Sequence, residues 1–148
     1  MTSFLRTAFV FVLLCIYSNC CLAGIEEDIL FYTNKYRKQK GKPALQLHPS
    51  VSKQAQQHSN NMASGKSSFG HDGFKNRTSI IRREIGSFSN AAENVAYGKL
   101  SAEEVVQLWI KSATHRKNLL GDYQYLGVGV ADNKKKSIRY FTQILIRK

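Results

Sequence analysis

Apolar residues recur at helical spacing in three stretches and alternate in one, and these patterns predict the elements. Across 25–40, Ile29, Tyr32, Thr33 and Tyr36 form one stripe of a helix of period 3.6. Glu26, Glu27 and Asp28 open that helix and Arg37, Lys38 and Lys40 close it, the polarity its dipole favours. Gly41 ends it, and Pro43 follows where the helix could not continue. Residues 44–48 read as short and extended, and Pro49 suits the first turn of a second helix reaching about residue 63. The stripe of this second helix is Val51, Ala55, His58 and Met62, so His58 is read as a satisfied core histidine rather than a ligand.

The third helical stretch organises the chain. Ser101 followed three residues later by Glu104 has the form of a capping box, which starts a helix there. Val105, Leu108, Trp109 and Ser112 then fall on one stripe, and His115 continues that side. A Ser and a His extending a buried stripe, with Glu93 just upstream on an irregular segment, predict a polar pocket on the helix's inner face.

Residues 64–98 are rich in Gly, Ser and Asn and break the periodicity, so they read as loops, where sites tend to be built. They carry His71 on a glycine-flanked turn between Phe69 and Phe74, and a short helix over 79–85 with Ile80, Ile81 and Ile85 packing. Residues 125–132 read as a strand in which Gly127 and Gly129, on one face, let a neighbour approach closely. Residues 133–136 turn, and 137–147 alternate as a second strand, giving an antiparallel hairpin. Its last strand, ending in two basic residues, reads as an edge guarded against pairing. Both faces of the hairpin carry bulky apolar residues, so helices are expected on both sides of a small antiparallel sheet, an α+β domain.

Composition adds three constraints. Residues 1–23 pair one Arg6 with a short apolar run and end in Ala23, the layout of a secretory signal, which leaves 24–148 as a single domain. All three cysteines, Cys15, Cys20 and Cys21, fall in that leader, so disulfides, thiolate catalysis and Cys-ligated zinc are excluded from the 125 residues that remain. Without Arg6 there are 21 basic residues against 10 acidic ones, a net charge of +11. That balance favours peripheral contact with anionic surfaces or polymers, yet the scattered lysines form no recognised nucleic-acid module. Asn76-Arg77-Thr78 matches a glycosylation sequon, which matters only in a eukaryotic secretory pathway.

The motifs FGHDGF, AENVAYG, VVQLWIKSATHR, YLGVGV and YFTQ, in that order, resemble the CAP superfamily of cysteine-rich secretory proteins, antigen 5 and plant pathogenesis-related proteins. They have the look of its cysteine-free, bacterial-type SCP-like branch. The resemblance implies a three-layer α-β-α sandwich. It maps His71 and Glu93 onto one histidine and one glutamate of the eukaryotic branch's two-His, two-Glu cleft. Ser112 stands where that branch has its second glutamate and Tyr140 where it has its second histidine, with Thr142 and Gln143 retained. His115 matches the histidine of the bacterial-type motif. The expected polar centre is therefore His71, Glu93 and His115, lined by Ser112, Tyr140 and Gln143.

Two readings of that centre follow. The first, which the resemblance implies, is a secreted module, extracellular or periplasmic, that binds a hydrophobic or anionic ligand of lipid- or sterol-like or glycan type, in some relatives as a secreted effector. The second is a hydrolase using the His/Glu centre, with or without a divalent ion. No cofactor is required; zinc or another divalent metal held by His71, His115 and Glu93 is the guest this donor set suggests. The pattern leaves the oligomeric state open.

Overall fold

The computed structural model describes residues 24–148, and the predicted leader 1–23 lies outside the described residues. The chain runs α1 (Ile25–Gln39), β1 (Gln46–Leu47), α2 (Pro49–Ser64), α3 (Phe74–Ile85), β2 (Asn90–Gly98), α4 (Ala102–Lys111), α5 (Ala113–Leu119), β3 (Tyr125–Asn133) and β4 (Ile138–Arg147). The strands form one sheet in the order β1-β3-β4-β2. β3 and β4 pair antiparallel as the alternation predicts, β2 joins β4 antiparallel, and β1 runs parallel to β3.

Alternation along β4 sorts the core onto two faces. Phe141 and Leu145 point to one side and pack with Ile29 of α1, Val105 and Trp109 of α4, and Leu119 of α5. Ile144 and Ile146 point to the other and pack with Val51 and Ala55 of α2 and Ile81 of α3. Helices thus cover both faces, giving the α+β three-layer α-β-α sandwich. Gly127 and Gly129 face α2, and a Cβ at either would run into backbone atoms of Val51, Ser52, Ala55 or Gln56. What approaches those glycines is therefore the helix itself.

The local signals that succeed are the strong ones. Ser101 Oγ accepts from the Glu104 amide and the Glu104 carboxylate accepts from the Ser101 amide, so the capping box starts α4 as read. Pro49 opens α2, and Gly65 closes it in the left-handed conformation at φ 76°.

Several expectations need correction. The helix begun at Ser101 stops at Ser112, whose ψ of 124° is extended, and α5 restarts at Ala113; His115 therefore does not continue the α4 stripe. That stripe is Ala102, Val105, Val106 and Trp109, whereas Leu108 is 46% exposed. On α1 the buried positions are Ile29, Thr33 and Arg37, while Tyr32 and Tyr36 are only half-buried. Arg37 turns inward because three carbonyls await it, those of Leu119 at 2.7 Å, Pro43 at 2.8 Å and Gly121 at 2.9 Å. α3 begins at Phe74, five residues before its predicted start, because Arg77 occupies its inner face where a pattern reader expects an apolar residue. Glu93 lies on a strand and not on a loop, the sheet is mixed, and β4 is central, so its basic end guards no edge.

Candidate functional site

Strand β2 builds the site. Its register against β4 sets Glu93 beside Ile144, Val95 beside Thr142 and Tyr97 beside Tyr140, so all three β2 side chains face α2 and α3. Glu93 is consequently a carboxylate in the core, 6% exposed. A buried charge persists only if it is paired and hydrogen-bonded. Arg77 of α3 meets that need: its Nε donates to Glu93 Oε2 at 2.9 Å and its Nη2 to Oε1 at 2.7 Å, a two-pronged pair. The same guanidinium donates from Nη1 to the Asp72 carbonyl at 2.8 Å, tying the turn that carries His71 to α3.

His71 Nδ1 lies 2.9 Å from Glu93 Oε1. A carboxylate only accepts, so Nδ1 carries the proton and the ring leaves Nε2 outward on a side chain that is half exposed. His58 of α2 lies on the inner side of Glu93, its Nε2 3.9 Å from Oε1 and 2.8 Å from the Gly70 carbonyl, to which it donates. Burial is the main influence pushing the His58 imidazole below its ordinary value, with the bond to Gly70 and the charges of Arg77, Glu93 and His71 as further influences. His58 is thus the core histidine expected, and it also anchors the turn before His71.

His115 sits on α5, half-buried, with Nδ1 buried and without a protein partner. Burial first, and then the neighbouring His71, lower its pKa. Ser112, also half-buried, forms the junction of α4 and α5, where its carbonyl accepts from the Arg116 amide. Tyr140 is 8% exposed and stacks on Tyr97, ring centroids 5.7 Å apart, with Phe69 edge-on to Tyr97 at 4.7 Å.

Gln143 does not line this centre. It points to the opposite face of β4, as does its partner Asn94 on β2. There Asn94 Nδ2 donates to Gln143 Oε1 at 3.0 Å, Gln143 Nε2 donates to Thr33 Oγ1 at 3.1 Å, and Asn118 Nδ2 donates to Asn94 Oδ1 at 2.9 Å. This buried relay joins α1, β4, β2 and α5. Asn118 also donates to the Glu93 carbonyl at 3.3 Å, so α5 braces the outer strand of the sheet.

The structure therefore brings His71 and Glu93 into contact and puts His115 within electrostatic reach of His71. It sets Tyr140 opposite Tyr97, four residues along β2 from Glu93, keeps Ser112 at the α4–α5 junction, and sends Gln143 to the other face. Sequence reasoning missed Arg77, Asn94 and Asn118. Arg77 was traceable, since Phe74, Arg77 and Ile81 fall at i, i+3 and i+7 of one helix.

As a set of metal ligands, His71, His115 and Glu93 fit poorly. Both oxygens of Glu93 already accept from the Arg77 guanidinium, whose fixed charge opposes a second cation at the same carboxylate. Among the described residues no group of three or more His, Cys, Asp or Glu is disposed to hold a metal ion. Chemically, the centre offers the half-exposed imidazole of His71 and the half-buried imidazole of His115, with the Glu93 carboxylate held by Arg77.

Residues 30–145 match the Cysteine-rich secretory protein family, CAP. The chain is 30% identical over 115 residues to the uncharacterized protein YkwD of Bacillus subtilis, covering 76% of this chain and 44% of YkwD. It is 36% identical over 126 residues to the uncharacterized membrane protein YlbC of the same organism, covering 83% of this chain and 34% of YlbC. Among solved structures it resembles an extracellular protein containing a SCP domain from Bacillus anthracis, with 31% identity and a TM-score of 0.72 over 84% of this chain and 41% of that one. The chain thus spans less than half the length of the curated relatives it matches.

Proposed function

The chain belongs to the CAP family, and from that premise we propose that it acts outside the cytoplasm as a secreted binding module, its leader 1–23 removed, for a lipid- or sterol-like or glycan ligand. The state of Glu93 carries this reading. A carboxylate held by two guanidinium bonds and one imidazole bond, at 6% exposure, is committed to holding the turn that bears His71. In that role it braces a surface and does not move protons. The extracellular protein from Bacillus anthracis supports placement outside the cytoplasm, while the membrane protein YlbC supports a role at the envelope. Among the described residues no helix is long and apolar enough to cross a membrane.

One observation favours a second reading, hydrolysis. His115 Nδ1 is buried without a partner beside His71, and two neighbouring imidazoles are the usual means of general acid and base catalysis. The substitution His71→Ala separates the two. A hydrolase would lose turnover and keep its fold, whereas a brace would lose melting temperature, with ligand binding elsewhere on the surface preserved.

A further inference from the structure

We propose that the cleft between the end of α2 and the C-terminal end of β2 is a saccharide site, with Phe69, Tyr97 and Tyr140 as its stacking platform and a segment of an anionic glycan as its ligand. The proposal rests on the binding-module reading above and names that module's ligand. Among the described residues four large apolar side chains are notably exposed, and two of them, Phe69 at 48% and Tyr97 at 53%, stand together. Single exposed apolar residues need no explanation, but adjoining rings do.

The fold places them deliberately. Register sets Tyr97 against Tyr140 on the α2/α3 face, and the turn before His71 brings Phe69 edge-on to Tyr97. Beside the rings α2 has already ended at Ser64, and the chain leaves through Gly65. The result is a cleft of about 730 Å³, also lined by Ser67, Lys136 and Ile138.

The chemistry of the lining selects the ligand. Ring faces receive the C–H face of a sugar, while hydroxyls at the sugar's rim need polar partners. Ser64 and Ser68, both exposed in the lining of the cleft, supply them. An alkyl chain or a sterol body would cover those two hydroxyls without pairing them. Lys136, on a protein carrying 22 basic residues against 10 acidic ones, favours a carboxylate- or phosphate-bearing chain. Glu93 and Tyr97 share a face of β2 four residues apart, about 13 Å at roughly 3.3 Å per residue, so a chain stacked on the rings would extend toward His71.

The test titrates the purified protein by calorimetry with hyaluronan hexasaccharide, with neutral chitohexaose, and with vesicles of phosphatidylglycerol and phosphatidylcholine. The hyaluronan fragment is expected to bind, and Tyr97→Ala to weaken it by about tenfold with melting unchanged, the size of one lost ring contact. Lys136→Gln should weaken hyaluronan and leave chitohexaose unaffected. If Tyr97→Ala binds hyaluronan as well as the parent does, the platform is refuted. If chitohexaose binds as tightly and Lys136→Gln changes nothing, the anionic specificity is refuted. If vesicles bind and neither saccharide does, the glycan site falls while the binding-module reading stands. If nothing binds, both fall.

Discussion

Replacing Arg77 by methionine isolates what holds the centre together. Methionine keeps the unbranched, helix-compatible stem and removes the guanidinium, leaving the Glu93 carboxylate among His58, His71 and apolar neighbours. The side chains are 10% exposed for Arg77 and 2% for Glu93, so solvent screens the pair little. Breaking a pair of this kind from one side costs about 3–5 kcal/mol, because the remaining charge stays buried. At roughly 4 °C per kcal/mol for a domain of this size, the melting temperature should fall by about 10–20 °C. Adding Glu93→Gln removes the orphaned charge and should recover most of the loss, giving a coupling of about 2 kcal/mol or more. Urea unfolding followed through the single tryptophan, fully buried Trp109, reads all four proteins of the cycle. A loss below about 1 kcal/mol for Arg77→Met, or a double variant no better than the single one, would refute the view that the pair is the brace.

Other consequences can be checked separately. Gly127→Ala and Gly129→Ala each drive a methyl into the α2 backbone and should cost about 3 kcal/mol or prevent folding; a change within about 0.5 kcal/mol in urea would contradict the packing. Ser101→Ala removes half of the capping box and should cost about 1 kcal/mol, read as a lower urea midpoint. Because burial lowers the pKa of His58 and His115 in the folded chain, the unfolded chain binds more protons below about pH 6.5. Stability should therefore be full above that value and decline as pH falls toward 5, and His58→Gln should flatten the decline in urea midpoints taken across that range.

Legibility followed the strength of the local code. The capping box, Pro49, and the alternation of β4 each state one answer, and the structure agrees with them. β2 was illegible because it is buried on both faces and spends inward positions on Glu93 and Asn94, so neither alternation nor an apolar run marks it. The start of α3 was hidden for the same reason, since Arg77 faces inward only because Glu93 waits 16 residues further along the chain. The break at Ser112 has no Gly or Pro to announce it, and a stripe of correct spacing runs across it. His71 on its glycine-flanked turn and Glu93 beside a buried stripe drew notice, and motif resemblance grouped them. Arg77, although in register with Phe74 and Ile81, reads as a solvent-facing cation until its distant partner Glu93 is known.

If the Glu93 carboxylate is committed to Arg77, it is not free to hold a metal ion, and calorimetric titration of zinc into metal-free protein measures this. No zinc heat is predicted, or weak heat unchanged by His71→Ala and His115→Ala. Tight binding abolished by both substitutions would put the two imidazoles on one ion, contradict the brace, and make metal-assisted hydrolysis the leading reading.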